Sequence, residues 1–530
     1  MRVLLFSMPD TMPNFRGGLN RWPNLALCSL VATAPEHKVV VADLCCRRDD
    51  VPGAVKEALA EVKPDVVGVS AMSFQFHTAC GVARIVREHD PQIKIIGGGY
   101  HVTLLAEEIV KSQDEHLFDF MIRGEGEQSF PRLLDVLKKI QNPKSKIQNG
   151  FADIPALSFR ADGQWVHNPR PTENLSLADL TLPERSTRLW SNYRIFFRGL
   201  DLVETSRGCT MPCNFCSIRG MYGKSYREYP LDRVMADIAD AKRHGASFIG
   251  FPDDNITLKI DRFEALCDAI IKAGHDDCGY FIQGSSRGIA SSERLVRKMR
   301  RAGFLIVFLG IENVSERNLR FLQKGKIVDY SRRAIELLHK HNIPIIGGIV
   351  IGNPEDREED IAQNFQFLRD NDVEYHQDQI TCPYPTTPLR QEMLRQGLVT
   401  NPDDYRYYNG FWANVRTKYL SSDELQFFKW KHHRKSSMLF RPEPKALKRR
   451  LPPYSAFRQF VSLPIRRLKN HLCFRNATDY DLYRAEIDET WHYSQFFTDK
   501  PPSSHLDVGH PRPLREPPFE PISAKKAGLL

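Results

Sequence analysis

The chain has 530 residues, 42% hydrophobic and 26% charged, a balance that excludes an intrinsically disordered or fibrous protein. No apolar run approaches the roughly 20 residues of a membrane-spanning helix, and the N-terminal apolar run is too short for a signal peptide. The net charge is +9, and its positive excess comes from one stretch: residues 429–475 hold fourteen Lys and Arg against one Glu. Because the rest of the chain is not basic, the sequence predicts no nucleic-acid partner.

Residues 1–140 predict a doubly wound, Rossmann-like α/β domain. Short runs rich in β-branched residues alternate with segments of helical spacing, such as 52–62 and 78–88. We expect strands over 3–6, 39–44, 66–70, 93–97 and 121–122. In sheets of this kind, ligands bind beyond the carboxyl ends of the strands.

Three loops at these strand ends carry residues suited to a close-fitting ligand. The candidate contacts are Ser70, Ser73, Gly97, Gly98, Gly99, His101, Gly124 and Glu125. Their Gly-Gly-x-His-x-Thr and Gly-Glu-Gly-Glu runs resemble the cobalamin-binding domain that precedes the catalytic barrel in many enzymes, which implies cobalamin as a cofactor. The Asp-x-His-x-x-Gly motif of other cobalamin proteins does not occur, so the resemblance implies no histidine from that motif on cobalt. The alternative is a Rossmann-like domain without a ligand.

Residues 141–195 predict a linker that carries a small β element. Asp162-Gly163 is typical of a two-residue hairpin turn. From 196 to about 400 the alternation of strands and helices resumes. The expected strands cover 202–204, 247–251, 279–283, 306–310, 344–351 and 374–381. These six units are too few for a closed eight-stranded barrel.

Cys209, Cys213 and Cys216 form a C-x3-C-x2-C loop after the first of these strands. Clustered thiolates hold iron–sulfur clusters, and three ligands leave one iron of a 4Fe-4S cluster open. With Phe215 before the last cysteine, the loop resembles the signature of radical S-adenosylmethionine (SAM) enzymes. That family implies a 4Fe-4S cluster, SAM, a partial (β/α)6 barrel and a reducing, cytoplasmic compartment. A zinc knuckle is the alternative, although zinc sites usually close with four ligands.

The resemblance also implies where the barrel binds SAM. It assigns this role to Asp253, Asp254, Gln283, Ser285, Arg287, Glu312 and Gly352. Glu312 is expected on the ribose hydroxyls, because two hydroxyls facing one carboxylate form two charge-assisted hydrogen bonds. The alternative for each residue is a structural salt bridge at the barrel rim.

A turn over residues 383–388 resembles the Pro-Tyr-Pro-Gly-Thr-Pro turn of the cobalamin-linked subfamily, with Thr386 in place of Gly. A positive φ at this position would be strained for threonine. Cys382 and Tyr384 lie beside the predicted barrel opening, and we consider them as catalytic hydrogen donors. Packing is their alternative role.

Beyond residue 400 the resemblance fades. Residues 401–498 predict a helical, basic extension, in which aromatic residues over 405–412 line either a substrate pocket or an apolar seam against the barrel. The basic stretch 429–475 mixes cations with apolar residues, so it predicts either peripheral membrane contact or a solvated basic face. Residues 499–530 are rich in proline and charge and predict a disordered tail.

The resemblance covers roughly residues 1–400 and implies a cobalamin-dependent radical SAM C-methyltransferase. Such an enzyme cleaves SAM reductively, abstracts hydrogen from a small-molecule substrate and transfers a methyl group to the resulting carbon radical. It implies an electron donor of the flavodoxin or ferredoxin type. One alternative resembles the anaerobic magnesium-protoporphyrin monomethyl ester cyclase, which forms a ring without methyl transfer. Another is a non-catalytic redox or cobalamin sensor.

Overall fold

The computed structural model describes residues 1–11, 21–141, 150–436 and 478–497. Most of the predicted basic stretch, residues 437–475, and the predicted tail lie outside the described residues. The chain forms two compact units. Unit 1 comprises Met1–Thr210, Ile218–Ser247 and Ser494–Thr498. Unit 2 contains Met211–Ser217 and Phe248–Tyr493.

Unit 1 begins with a seven-stranded sheet in the order β2-β1-β3-β4-β5-β6-β7. Its strands are β1 (Arg2–Ser7), β2 (Lys38–Asp43), β3 (Val66–Ser70), β4 (Lys94–Gly98), β5 (Phe120–Ile122), β6 (Leu157–Ala161) and β7 (Gln164–His167). The accompanying helices are α1 (Leu25–Ala32), α2 (Val51–Val62), α3 (Phe76–His89), α4 (Tyr100–Ile109) and α5 (Ser129–Ile140). Strands β1 to β5 pair in parallel, which confirms the predicted doubly wound domain.

Alternate side chains of β1 enter two different apolar cores. Leu4 and Phe6 pack with residues of α2 and α3. Val3 and Leu5 pack with residues of α1 and α5 on the other face. Each such burial contributes about 1.5–3 kcal/mol, so a continuous apolar run is stable only where helices cover both faces of the sheet.

The predicted hairpin extends this sheet. Asp162 and Gly163 have φ of +50° and +79°, as a type I′ turn requires. Strand β6 pairs with β5 through Phe120 and Phe159, so the segment predicted as a linker adds two antiparallel strands to the sheet.

The remainder of unit 1 leads towards the cysteine loop. Its elements are β8 (Arg194–Ile195), β9 (Arg198–Leu202), β10 (Ser206–Arg207), α6 (Ile218–Tyr222), β11 (Arg227–Glu228) and α7 (Leu231–Arg243). The predicted strand over 202–204 is therefore wrong, because β9 ends at Leu202. The carbonyl of Leu202 accepts a hydrogen bond from buried Arg185 at 2.9 Å, so a side chain takes this backbone acceptor where the strand ends.

Unit 2 contains five parallel strands that pair in chain order. They are β12 (Phe248–Phe251), β13 (Gly279–Ser285), β14 (Phe304–Glu312), β15 (Ile345–Ile351) and β16 (Tyr375–Ile380). The helices between and after them are α8 (Ile260–Lys272), α9 (Ser286–Ser291), α10 (Glu293–Arg301), α11 (Glu316–Phe321), α12 (Val328–Lys340), α13 (Glu358–Asp370) and α14 (Pro388–Arg395). These strands confirm the β/α repeat predicted from residue 247 onwards.

The C-terminal part of unit 2 contains α15 (Ser422–Ser436) and α16 (Asp479–Ser494). Tyr407 and Trp412 pack with Trp430 of α15 and with Tyr483 and Trp491 of α16 in an aromatic core. The aromatic run is therefore an apolar seam, but it packs on the C-terminal helices instead of the predicted barrel surface. Within the described ranges, every helix is too short or too polar to cross a membrane.

Candidate functional site

The three predicted cluster ligands lie in a loop without regular secondary structure. Cys213 is buried, whereas Cys209 and Cys216 are partly exposed, and none of the three forms a disulfide. The backbone N–H of Cys216 donates to the carbonyl of Cys213 at 3.4 Å. A set of three soft thiolate donors fits a 4Fe-4S cluster with one open iron.

Asn214 anchors the part of this loop that belongs to unit 2. Its backbone N–H donates to the carbonyl of Leu322 at 3.4 Å, and its side-chain amide donates to the carbonyl of Phe321 at 2.6 Å. The carbonyl of Asn214 accepts from the N–H of Leu389 at 3.1 Å. These hydrogen bonds attach the loop to the end of α11 and to the start of α14. The cysteine spacing alone did not indicate this attachment.

Lys324 is a charged residue beside the loop that sequence reasoning missed. Its ammonium lies 2.7 Å from Oε1 of Glu312 and 5.8 Å from the ring centroid of Phe215. Burial by itself lowers the pKa of Lys324, but the Glu312 carboxylate and the thiols of Cys213 and Cys216 raise it overall. The side chain therefore carries a positive charge in this partly buried environment.

Glu312, predicted to bind the ribose of SAM, is the last residue of β14 and has a φ of +62°. A Cβ on Gly310 would lie 2.8 Å from Oε1 of Glu312, so a larger residue there would displace the carboxylate from its present position. A non-glycine residue with positive φ costs of order 1–3 kcal/mol, and such strain concentrates at functional sites. Glu312 is therefore held in place at an energetic cost.

Three further predicted SAM contacts follow β12 or belong to β13. Asp253 is 1% exposed and comes directly after β12 with the partly exposed Asp254. Gln283 is exposed and lies inside β13, because that strand runs two residues further than predicted. Their contact with SAM stays a prediction.

Ser285 and Arg287 have local partners around the start of α9. The Ser285 hydroxyl accepts from the N–H of Gly288 at 3.2 Å and lies 2.9 Å from the hydroxyl of Thr257. The Arg287 guanidinium stacks over the ring of Tyr330, 5.1 Å from its centroid. Ser285 thus caps the helix, while Arg287 presents an exposed cation.

Gly352 is buried, and the tight packing around it leaves no room for a side chain at this position. It has a φ of +78°, and a Cβ there would lie 2.6 Å from a methyl carbon of Leu425 in α15. Its N–H and that of Asn353 donate to Oδ2 of Asp356 at 2.9 and 3.0 Å. Burial raises the pKa of Asp356 to about 6. The loop after β15 is therefore built around a buried carboxylate.

Cys382 and Tyr384 lie in the turn before α14. Cys382 is 7% exposed, and burial raises the pKa of its thiol to about 12. Burial, together with Cys382, also raises the pKa of Tyr384 well above its ordinary value. Both groups keep their protons at neutral pH, as a hydrogen donor must. Thr386 has a φ of +61°, so the turn keeps the conformation in which the subfamily has glycine.

The glycine run after β4 brings backbone segments of unit 1 close together. Gly99 has a φ of +89°, and a Cβ there would lie 2.7 Å from the carbonyl oxygen of Ala71. His101 is buried in α4, with its ring centroid 4.0 Å from that of Phe76. Burial lowers the pKa of His101 to about 3, so the imidazole is neutral.

Of the other predicted cobalamin contacts in this region, one packs inside the sheet and the rest lie at its edge. Gly97 lies inside β4, where a Cβ would be 3.2 Å from the ring of Phe118. Gly98 ends β4 beside Ser70, which ends β3, and Ser73 is buried just beyond. This edge is where doubly wound sheets bind ligands. Its residues fit a bulky cofactor such as cobalamin.

The Gly-Glu-Gly-Glu run is tied to this glycine run by one hydroxyl. The N–H of Gly124 donates to the hydroxyl of Thr103 at 2.9 Å, and that hydroxyl donates to the carbonyl of Gly99 at 2.7 Å. The two motifs that suggested cobalamin therefore form one connected structure.

Glu125 is a predicted contact of cobalamin, and its carboxylate forms ion pairs in the structure. Its oxygens lie 2.9 Å from Arg207 and 3.0 Å from Arg227. Arg207 also pairs with Glu127 at 2.7 Å and with Glu204 at 2.9 Å. Because Arg207 precedes the cysteine loop by one glycine, this buried network holds the start of that loop.

A separate cluster of potential metal ligands lies between β16 and α15. Ligand atoms of His376, Asp378 and His433 all lie within 4.8 Å of one another. The ammonium of Lys429 lies 3.7 Å from Oδ2 of Asp378. Since that charge already balances the carboxylate, we interpret the cluster as an ion-pair network.

Comparison with known proteins identifies two domains. The radical SAM superfamily matches residues 203–368, and the B12 binding domain matches residues 19–134. An uncharacterized methyltransferase of Pyrococcus horikoshii is 26% identical over 449 residues, covering 84% of this chain and 94% of the relative. The anaerobic magnesium-protoporphyrin IX monomethyl ester cyclase of Rubrivivax gelatinosus is 26% identical over 424 residues, covering 77% of this chain and 72% of the relative.

A solved structure shares the fold. It is the radical SAM methyltransferase TsrM from Kitasatospora setae with cobalamin and a 4Fe-4S cluster bound, at a TM-score of 0.60 and 18% identity. The similarity covers 76% of this chain and 79% of that one. The chain therefore contains a radical SAM domain and, before it, a B12-binding domain, and these two domains imply a 4Fe-4S cluster, SAM and cobalamin as cofactors.

Proposed function

We propose that the protein is a cobalamin-dependent radical SAM C-methyltransferase acting on a small molecule. The observation that carries this proposal is one chain in which a B12-binding domain precedes three cysteines spaced C-x3-C-x2-C. Similarity to a methyltransferase over 94% of that relative's length supports it. When bound, the cluster and SAM supply a 5′-deoxyadenosyl radical, and cobalamin supplies the methyl group.

The chain's own residues bind and orient these groups. Cys209, Cys213 and Cys216 hold the cluster, and Glu312 accepts hydrogen bonds from the SAM hydroxyls. Cys382 and Tyr384, which keep their protons at neutral pH, are the candidate hydrogen donors. The remaining predicted contacts with SAM and cobalamin are Ser70, Ser73, Gly97, Gly98, Gly99, His101, Gly124, Glu125, Asp253, Asp254, Gln283, Ser285, Arg287 and Gly352.

An anaerobic assay tests the proposal. The full chain is reconstituted with iron, sulfide and cobalamin, then supplied with dithionite and SAM labelled in its methyl group. We expect bound cobalamin, 5′-deoxyadenosine and labelled methylcobalamin. Cys213→Ala serves as the control, because it loses a cluster ligand and should form no 5′-deoxyadenosine. Failure of the wild-type chain to bind cobalamin would overturn the assignment of the first domain.

A second candidate function is ring formation or oxidation without methyl transfer. It is favoured by the 26% identity to the magnesium-protoporphyrin ester cyclase over 77% of this chain. The same assay separates the two functions. A cyclase-like enzyme would form 5′-deoxyadenosine with cobalamin bound and would leave the cobalamin unlabelled.

We further infer a flavodoxin or ferredoxin-type electron donor, since the cluster must receive single electrons at low potential. None of the ten described cysteines forms a disulfide, which agrees with a reducing compartment such as the cytoplasm. Peripheral membrane contact through residues 429–475 concerns a segment that lies mostly outside the described residues.

A further inference from the structure

Lys324 is a partly buried cation next to the cysteine loop. Its side chain is 16% exposed, and that of its partner Glu312 is 14% exposed. The ammonium is held on one side by the Glu312 carboxylate at 2.7 Å and faces the ring of Phe215 on the other, 5.8 Å from the centroid. Because Phe215 lies between Cys213 and Cys216 in the sequence, this pair is a fixed charge arrangement beside the cluster ligands.

A charge in this position affects the electron affinity of the cluster that the loop would hold. Three thiolates on a cluster of charge 2+ give a net charge of −1, which becomes −2 when one electron enters. A nearby positive charge stabilises the more negative state, and the effect is larger in a buried site than in water. A nearby carboxylate acts in the opposite direction.

We propose that the Lys324–Glu312 ion pair sets the reduction potential of the cluster, with Lys324 as a positioning residue for Glu312. This inference rests on the proposed function, since it requires the cluster. The pair as a whole is neutral, so each partner cancels most of the other's influence. Removing Lys324 therefore disfavours reduction, and removing the charge of Glu312 favours it.

The strained backbone of Glu312 adds a second consequence. Its φ of +62° places the carboxylate where a relaxed strand would not, and Lys324 supplies the ion pair that holds it. Without Lys324 the carboxylate loses this orientation, so affinity for SAM should decrease as well. An arginine at the same position keeps the charge and should preserve both properties.

The test is a potentiometric titration of the reconstituted full chain with dithionite, followed by electron paramagnetic resonance of the reduced cluster. One electron enters the cluster, and no bond breaks in the absence of SAM. We expect Lys324→Met to lower the equilibrium constant for reduction by about tenfold, which is about 59 mV for one electron. Lys324→Arg should stay close to the wild type, and Lys324→Met should also weaken SAM binding about tenfold.

Arg320→Gln is the matched control, because it removes a positive charge from the preceding helix at a side chain that is 69% exposed. Its potential should equal that of the wild type. A potential of Lys324→Met equal to the wild type, or an equal shift in Arg320→Gln, would overturn the inference. If Lys324→Met does not fold, Glu312→Gln decides, since it must raise the potential.

The two proposals fail in different ways. A wild-type chain that holds no cluster refutes the proposed function itself. A wild-type chain that cleaves SAM, with variants of unchanged potential, refutes only the role of the ion pair.

Discussion

Thr386 adopts a backbone conformation that its own side chain opposes. Its φ of +61° costs a non-glycine residue about 1–2 kcal/mol, and threonine is β-branched. We expect Thr386→Gly to raise the free energy of unfolding by about 1 kcal/mol, because relief of this strain exceeds the added entropy of the unfolded chain. Denaturant unfolding measures the change.

The neighbouring residue provides a control of opposite sign. The Thr387 hydroxyl accepts a hydrogen bond from the N–H of Arg390 at 3.3 Å and caps α14. Thr387→Ala should therefore lower the free energy of unfolding by about 1 kcal/mol. An unchanged or lower unfolding midpoint for Thr386→Gly would show that the turn is not strained.

At the scale of elements, helix α15 is attached to strand β16 by charged groups. Oδ1 of Asp378 lies 2.6 Å from Nδ1 of His433 and 2.9 Å from Nδ1 of His376, and Lys429 lies 3.7 Å from Oδ2. Burial lowers the pKa of His433, but the Asp378 carboxylate outweighs it and raises the pKa overall. Burial lowers the pKa of His376.

These shifts predict a pH-dependent attachment of α15. Because the pKa of His433 is higher in the folded than in the unfolded chain, its contribution is fully present below the unfolded value of about 6.5. That contribution is lost as the pH rises through the folded pKa. The difference in unfolding free energy between wild type and His433→Gln should shrink as the pH rises from about 6 to about 9.

The comparison isolates His433, since His376 and Lys429 titrate in both proteins. Urea unfolding at several pH values gives the difference directly. A difference that is constant over this range would mean that the charge of His433 does not hold the helix.

At the scale of the whole molecule, unit 1 does not rely on the cluster for its apolar cores. The described apolar cores of unit 1 are built from side chains of its sheet and helices, and the cysteine loop has no regular structure. Small metal domains, by contrast, unfold when the metal is removed. We expect iron chelation to abolish the visible absorbance of the cluster while the far-ultraviolet circular dichroism remains.

Circular dichroism before and after chelation checks this prediction. The Cys213→Ala variant, which lacks one cluster ligand, serves as a second sample. Loss of helical signal in both samples would show that the cluster organises the fold.

Local patterns in the sequence determined much of this protein. The strand at residues 66–70, the hairpin at Asp162-Gly163 and the cysteine spacing are each encoded by neighbouring residues, whose propensities and turn geometry act over a few positions. For this reason the β/α order, the cofactors and the family follow from the sequence.

Only the tertiary structure decided which charges meet. Arg207 pairs with Glu125, 82 positions away, and Lys324 reaches Glu312 from beyond the next helix. The sequence does not identify such partners, because an acid that pairs with a distant cation cannot be distinguished there from an acid on the solvent-exposed surface. The end of β9 at Leu202 depends likewise on buried Arg185. Sequence therefore determined the elements and the chemistry, and folding decided the electrostatic environment, since burial selects which charges must be paired.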